Sequence, residues 1–427
     1  MKVLVLAAGR SNRMKPLSDK VFLSFCGKPL LQWQLEGLQN SGFQEFVIVG
    51  NRENIDKIQE LKNTLKINAT IVEQKDLDSG MCGAILAAKP HLSGDTLIFN
   101  SNDIVDQSAF SKIHDSYKSS DHDSYILGKK VDSYFPGGYL KTDGDLITGI
   151  VEKPGEGNEP SSLVNLVVHL HRNIEQFIEH LEKAKSDSDD LYEVAMDNMI
   201  KDGKKFQAVE YHDFWQPIKY PWHIHSVFEY LIAQSTPAIA LSAQISPRAS
   251  INGHVIIEEN VKVMDGAVIQ GPAYIGKNSI IANNTLVRQS HIGDDSVIGF
   301  GSEVARSYLS AEVWTHSNYI GDSIIGNNVS FGAGTVTGNL RLDDQEITVN
   351  ISENKVSTGK KKLGIICGDN VRFGINTGIM PGVKIGSNSY IGAGITIAQD
   401  IPDNSFARGS WELKISENTK EIGRRQL

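Results

Sequence analysis

Apolar residues recur at every sixth position through much of the second half of this 427-residue chain. The first run is Ile245, Ile251, Ile257, Val263, Ile269, Ile275, Ile281 and Val287; the register then slips once and resumes at Ile292, Ile298 and Val304. A second run is Cys367, Phe373, Ile379, Ile385, Ile391 and Ile397. Neither an α-helix nor an ordinary strand has that period. A six-residue repeat marks a parallel β-helix, whose triangular coils present three short faces, each with one apolar residue pointing inward. Such a solenoid buries a continuous core only by stacking, and its ends need covers. The charged segment 411–427 is read as a capping tail, and 236–410 as the β-helix domain. The interruption LRLDDQEITVNISENKVSTGKKKLG (340–364) is expected to form a hairpin loop off one corner.

Residues 1–235 read differently. Short apolar runs, VLVLAA (3–8), FVIVG (46–50), ATIVEQ (69–74) and TLIFNSND (96–103), alternate with helical patterns at 29–40, 55–65 and 83–89. That order predicts a Rossmann-like α/β domain with a mostly parallel sheet and helices on both faces. Ligands of such sheets bind beyond the strand C-termini, which directs attention to the turns after residues 8, 74 and 100. A net charge of −9 argues against a broad nucleic-acid-binding face. There is no run of eighteen apolar residues, so no transmembrane helix is expected and the location is read as cytoplasmic. Three scattered cysteines, Cys26, Cys82 and Cys367, give neither a disulfide framework nor a zinc spacing.

The first strand runs into the turn LAAGRSNRMKPLSDK (6–20). Gly9 lets the backbone bend after a buried strand, and the following N–H groups form a cradle for phosphates. Arg13 and Lys20 add the positive charge that a triphosphate needs as pyrophosphate leaves. Together, Leu6, Ala7, Ala8, Gly9, Arg13, Met14 and Lys20, then Gly27, Lys28 and Pro29, resemble the signature of the sugar-1-phosphate nucleotidylyltransferases. Ser11 and Asp19 depart from it, and Asp19 sets a negative charge beside the lysine. The resemblance implies that Arg13 and Lys20 are catalytic and that Leu6, Ala8, Gly9, Gln74 and Gly80 bind the nucleotide. It gives Gly138, Glu152, Lys153 and Asn165 to the sugar phosphate and Asp103 to Mg²⁺. In FWQPIKYPWHI (214–224), Pro217 stands where the family has its second metal-binding Asp, and Asp213 and His223 are the nearest alternatives in sequence.

The segment VWTHSNYIGDSIIGNNVSFGAGTVTGN (313–339) resembles the acetyltransferase half of the bifunctional enzymes that make UDP-N-acetylglucosamine, and their archaeal relatives. The resemblance implies that His316 is the general base, a role suited to imidazole because it exchanges protons near neutral pH. Tyr319 and Asn339 would bind sugar phosphate, and Ala333 and Ala393 acetyl-CoA. Gln345 and Ser330 depart from the bacterial pattern; Arg288 and Arg306 are candidates to compensate, and Lys360, Lys361 and Lys362 to reach phosphates. The implied activity is coupling of a sugar-1-phosphate to an NTP, UTP or GTP, together with acetyl-CoA-dependent N-acetylation of an aminosugar-1-phosphate, in a homotrimer built through the β-helix. Two alternatives stay open: a monofunctional nucleotidylyltransferase with a structural β-helix, and a non-catalytic sugar-nucleotide-binding subunit.

Overall fold

The computed structural model describes residues 1–17, 19–187, 190–410, 414–417 and 419. In chain order the first-half strands are β1 (Lys2–Leu6), β2 (Glu45–Gly50), β3 (Asn68–Glu73), β4 (Thr96–Asn100), β5 (Asp103–Val105), β6 (Ser124–Lys130), β7 (Gly138–Asp143), β8 (Leu146–Glu152), β9 (Leu163–His171), β10 (Phe206–Tyr211) and β11 (Trp215–Pro217). The helices are α1 (Leu30–Asn40), α2 (Ile55–Leu65), α3 (Gly80–Ala88), α4 (Ser108–Ser119), α5 (Ile174–Lys183), α6 (Leu191–Lys201) and α7 (His223–Gln234). Nine of these strands form one sheet in the order β3-β2-β1-β4-β9-β6-β10-β8-β7. It is parallel from β3 to β4, and antiparallel where β9 meets β4 and β6. After Lys2, β1 is wholly apolar because it lies inside the sheet, with both its faces covered.

Three expected boundaries move. The run 96–103 is not one strand: Ser101 turns back, its N–H and its hydroxyl both reaching the Leu6 carbonyl, so β4 ends at Asn100 and β5 pairs instead with β11. Helix α3 begins at Gly80 rather than residue 83, because the Gln74 side chain holds the carbonyls of Asp76 and Gly80 and supports a first turn that two glycines would otherwise weaken. Pro29, which has no N–H to donate, precedes α1 rather than opening it.

The second half is the three-sheet prism of a left-handed parallel β-helix. Ile257, Ile275, Ile292, Leu309, Ile325, Cys367 and Ile385 stack as one inward ladder, and all are buried. The sixfold pattern fades after Val304 because Leu309, Ile320 and Ile325 each follow the preceding inward residue by five positions rather than six, and because two inward positions are threonines. Thr315 and Thr337 are buried there, their hydroxyls accepting from the backbone N–H of Gly299 and Gly321. The interruption is a hairpin as expected, Thr348–Ile351 against Asn354–Ser357. The cap expected at 411–427 lies outside the described residues, apart from 414–417 and 419, which take no regular structure.

The two halves share an apolar cluster. Phe25, Trp222 and Phe228 from the first half meet Tyr274, Tyr308 and Ile366 of the β-helix and Val349 of the hairpin. Tyr308 donates its hydroxyl to the Ser24 carbonyl, and Lys360 its ammonium to the Trp222 carbonyl. Among the described residues no helix is long and apolar enough to cross a membrane.

Candidate active sites

Leu6, Ala8, Gly9, Gln74 and Gly80 line one cavity at the C-terminal edge of the sheet, together with Asn100 and Asn102. Gln74 is buried, and its amide nitrogen is spent on the carbonyls of Asp76 (2.9 Å) and Gly80 (2.8 Å). Only its Oε1 is left for a base. A Cβ on Gly83 would lie 2.8 Å from that nitrogen, so glycine there is what lets Gln74 fold over the turn.

Lys20 sits on a short turn beside this cavity, its ammonium 3.2 Å from the Ile218 carbonyl. Burial pulls its pKa down to about 8, opposed by the nearby Asp103 carboxylate. Arg13 is exposed, yet close enough to repel Lys20. The negative charge that Asp19 brings to the motif does not face this space. Its carboxylate accepts from the Val21 N–H (3.2 Å) and from Asn54 Nδ2 (2.7 Å), capping the turn that carries Lys20.

Asp103 is nearly buried, which pushes its carboxyl upward. Its oxygens accept from Trp215 Nε1 and Asn100 Nδ2, both at 3.1 Å. Opposite it in the strand pair stands Pro217. Neither suggested substitute for the missing carboxylate serves. Asp213 is engaged by Ser108 (2.6 Å), and His223 Nδ1 by the Pro217 carbonyl (2.7 Å), with burial lowering that imidazole to about 4. The side chain that does approach is Lys219, absent from the sequence reading. It feels the charges of Asp103, Arg13 and Glu152, and its ammonium lies 4.1 Å over the Phe135 ring. Nothing in the local sequence marks it, because only the β5–β11 pairing carries residue 219 to this place. No three acidic, His or Cys side chains cluster among the described residues. One carboxylate already holding two hydrogen bonds, flanked by lysines, does not fit a metal held by the protein.

Gly138 and Glu152 face each other across β7 and β8, with Asn165 on β9 beside them. A Cβ on Gly138 would meet Glu152 Oε2 at 3.1 Å and Asn165 Nδ2 at 3.4 Å, so these polar atoms converge. Lys153 Nζ lies 3.2 Å from Glu152 Oε1. Behind them runs a buried relay that sequence reasoning missed: His169 Nε2 to Asn165 Oδ1 and His169 Nδ1 to the Tyr192 hydroxyl, both 2.6 Å. Burial holds His169 neutral, so Tyr192 donates to Nδ1 and Nε2–H donates to Asn165. That fixes the Asn165 amide with its N–H groups free for a ligand.

In the β-helix, His316 follows the strand Trp314–Thr315 at a corner and is exposed. The strand registers put Gly332-Ala333, Gly374-Ile375 and Gly392-Ala393 at the same corner of later coils. Ala333 and Ala393 therefore lie on the His316 edge, with the exposed Ile375 between them. Past the next strand, Tyr319, Asp322 and Asn339 join one network. Asn339 Nδ2 donates to the Tyr319 hydroxyl (3.1 Å) and to Asp322 Oδ2 (2.5 Å), and Arg306 grips Asp322 with both arms. A Cβ on Gly321 would stand 2.6 Å from the Tyr319 oxygen and 2.8 Å from Asn339 Nδ2, so a side chain there would displace this pair. Arg306 and Asp322 line a cleft with His225, Lys360, Lys361 and Lys362. Arg288 pairs with Glu303, the residue beside Tyr319 in the ladder. Gln345 points back to Asp343, and Ser330 lines a separate hollow with Trp314 and Arg372.

Three domain families match the chain in succession. The MobA-like NTP transferase domain matches residues 3–235, the GMPPB C-terminal domain residues 234–357, and the bacterial transferase hexapeptide (six repeats) residues 364–399. The bifunctional protein GlmU of Methanococcus vannielii is 32% identical over 434 residues, covering 98% of this chain and 100% of that protein. The bifunctional sugar-1-phosphate nucleotidylyltransferase/acetyltransferase of Sulfurisphaera tokodaii is 31% identical over 418 residues, covering 95% and 99%. Matched along nearly its whole length, and with one family domain spanning more than half of it, the chain belongs to the NTP transferase family of the bifunctional GlmU proteins.

Proposed function

We propose that this chain is a cytoplasmic bifunctional enzyme. The first half couples a sugar-1-phosphate to an NTP, UTP or GTP, and releases pyrophosphate. The second transfers acetyl from acetyl-CoA to the amine of an aminosugar-1-phosphate such as glucosamine-1-phosphate. The convergence of Leu6, Ala8, Gly9, Gln74 and Gly80 on one cavity beside Lys20 carries the nucleotidyl half of this reading.

A phosphate oxygen of the sugar-1-phosphate attacks the α-phosphorus of the NTP in line, and the bond to pyrophosphate breaks. Such a step needs positioning and charge neutralisation rather than a covalent intermediate. Mg²⁺ arrives as part of the NTP substrate. Arg13 and Lys20 offset the charge on the departing phosphates, Glu152 accepts from sugar hydroxyls, and the amide of Asn165 donates. In the β-helix, His316 takes a proton from the sugar ammonium, and the free amine attacks the thioester carbonyl. The thiolate of CoA leaves and is protonated. Tyr319, Asn339 and Arg306 hold the sugar phosphate.

We further assign a homotrimer assembled through the β-helix. Trp314, Tyr390 and Phe406 stand outward at one ladder position of one sheet, at 58%, 61% and 65% exposure, with Ser330 and Arg372 between Trp314 and Tyr390; a second copy would cover these large apolar side chains.

Purified protein with Mg²⁺, UTP or GTP, and glucosamine-1-phosphate or N-acetylglucosamine-1-phosphate tests the reading by pyrophosphate release, with and without acetyl-CoA. Release with one NTP–sugar pair, and acetyl transfer that disappears in His316→Ala, is the expected result. Pro217 opposite Asp103 favours the second reading, a sugar-nucleotide-binding subunit. A folded protein silent across the grid would leave that one standing.

A further inference from the structure

Among the described residues, Asp103 faces no second carboxylate. Its strand partner is Pro217, whose carbonyl is taken by His223, and the two ammonium groups nearest to it belong to Lys20 and Lys219. Lys219 is not a loosely solvated surface charge. Its Nζ is 3.2 Å from the Pro136 carbonyl and 4.1 Å over the Phe135 ring. Phe135 packs edge-on against Trp215 at 4.8 Å, and Trp215 holds Asp103 by its indole N–H. A chain of contacts thus seats the Lys219 ammonium on the sugar side of the site, within reach of the charge on Glu152. Lys20 lies on the nucleotide side, bonded to the carbonyl of Ile218 in the same short segment.

Arg13, Lys20, Lys153 and Lys219 carry four positive charges and Asp103 and Glu152 two negative, a surplus of two that matches the two negative charges of a nucleoside-diphosphate sugar. A second metal-binding carboxylate would bring a divalent ion into the same volume, where it would be repelled by two ammonium groups.

We propose that Lys219 replaces a protein-held metal ion at this site: it binds the diphosphate from the sugar side, so nucleotide and nucleotide-sugar binding does not depend on a divalent cation. The idea rests on the nucleotidyl reading above, and its physical basis is substitution of a fixed ammonium for a mobile dication. A fixed charge needs no recruitment, but it neutralises one unit rather than two. The proposed site therefore favours retention of the diphosphate over acceleration of its transfer.

The test is isothermal titration of the full chain with UTP, GTP, UDP-N-acetylglucosamine and GDP-mannose, in EDTA and in excess Mg²⁺. The wild type should bind at least one of these with a Kd in EDTA within about threefold of that in Mg²⁺. Lys219→Met should weaken that binding by about tenfold or more in EDTA, while acetyl transfer at the distant β-helix site stays unchanged and reports an intact fold. A Kd that worsens more than about tenfold on removing Mg²⁺, or a Lys219→Met protein that binds like the wild type, overturns the proposal and leaves the nucleotide site standing. No binding of any of the four under either condition overturns the nucleotidyl reading as well. Electron paramagnetic resonance of Mn²⁺ on the wild-type chain gives a readout that needs no variant. The wild-type chain without nucleotide should hold no Mn²⁺ at micromolar concentrations, whereas Pro217→Asp combined with Lys219→Gly should gain a bound ion. Tight Mn²⁺ binding by the wild type would refute the replacement.

Discussion

Arg306 and Asp322, on neighbouring coils of the β-helix, meet fork to fork: Nε lies 2.7 Å from Oδ1 and Nη2 2.6 Å from Oδ2. Asp322 is almost buried and Arg306 less so, and Asn339 donates to the same carboxylate. Replacing Asp322 with Asn leaves the guanidinium without its counter-charge. A fully buried pair broken this way costs about 3–5 kcal/mol, and the partial exposure of Arg306 reduces that to about 1–3. Thermal melting should fall accordingly. Acetyl transfer should drop by about a hundredfold, because Tyr319 and Asn339 lose their common anchor, while nucleotide binding in the first half stays within twofold.

His316 is exposed at its corner, so removing its side chain opens no cavity. His316→Ala should keep the wild-type melting curve and lose acetyl transfer by about 10²–10⁴-fold, the usual range for a general base. Pyrophosphate release, assayed on the same preparation, should not change.

The Tyr192–His169–Asn165 relay predicts an effect at a distance. Tyr192→Phe leaves His169 Nδ1 buried and without a donor, a loss of about 1–3 kcal/mol by chemical denaturation. The Asn165 amide is then free to rotate. The KM for sugar-1-phosphate should rise several-fold while the KM for NTP holds, a split that general destabilisation would not produce.

Glu193, on α6, is pushed up to about 8 by burial and by Glu152. Across the window from about pH 4, where the unfolded chain releases this proton, to about pH 8, the folded chain still holds it. Stability therefore falls as the pH rises through that window and levels off above it. Since the group is partly exposed, the total is about 1–3 kcal/mol. Glu193→Gln should flatten this part of the profile and be the more stable protein at pH 9, read from urea midpoints between pH 5 and 9.

Trp314 and Tyr390 project from the same sheet three coils apart. Trp314→Glu should move the sedimentation coefficient from that of a trimer toward that of a single chain, with unchanged circular dichroism.

Much of this was legible in the sequence, for identifiable reasons. The sixfold spacing reads plainly because every coil must turn one apolar residue inward, and Ile257, Ile275 and Ile292 obey the same rule at each turn. The nucleotide turn reads because Leu6, Ala8 and Gly9 are consecutive in space and nearly so in sequence. What escaped depends on pairing between distant segments. Asp19 looked hostile to a phosphate until Asn54 was seen to hold it. Lys219 is an ordinary loop lysine until β11 lays its segment against β5. His169 and Tyr192 belong to a strand and a helix separated by another helix, and no local pattern relates them. The sixfold spacing shortens to five at Leu309, Ile320 and Ile325, and at Thr315 and Thr337 the inward residue is polar, its hydroxyl accepting from a backbone N–H inside the prism.

The apolar cluster between the halves bears on how such a protein can evolve. Phe25, Trp222 and Phe228 on one side, and Tyr274, Tyr308 and Ile366 on the other, are buried only because they face each other. Either half made alone would present a greasy scar to water and would aggregate or recruit a new partner. The two catalytic units are therefore poor candidates for shuffling. A lineage that lost one chemistry would be expected to retain the disused half as ballast, its shape preserved by packing long after its active site had drifted.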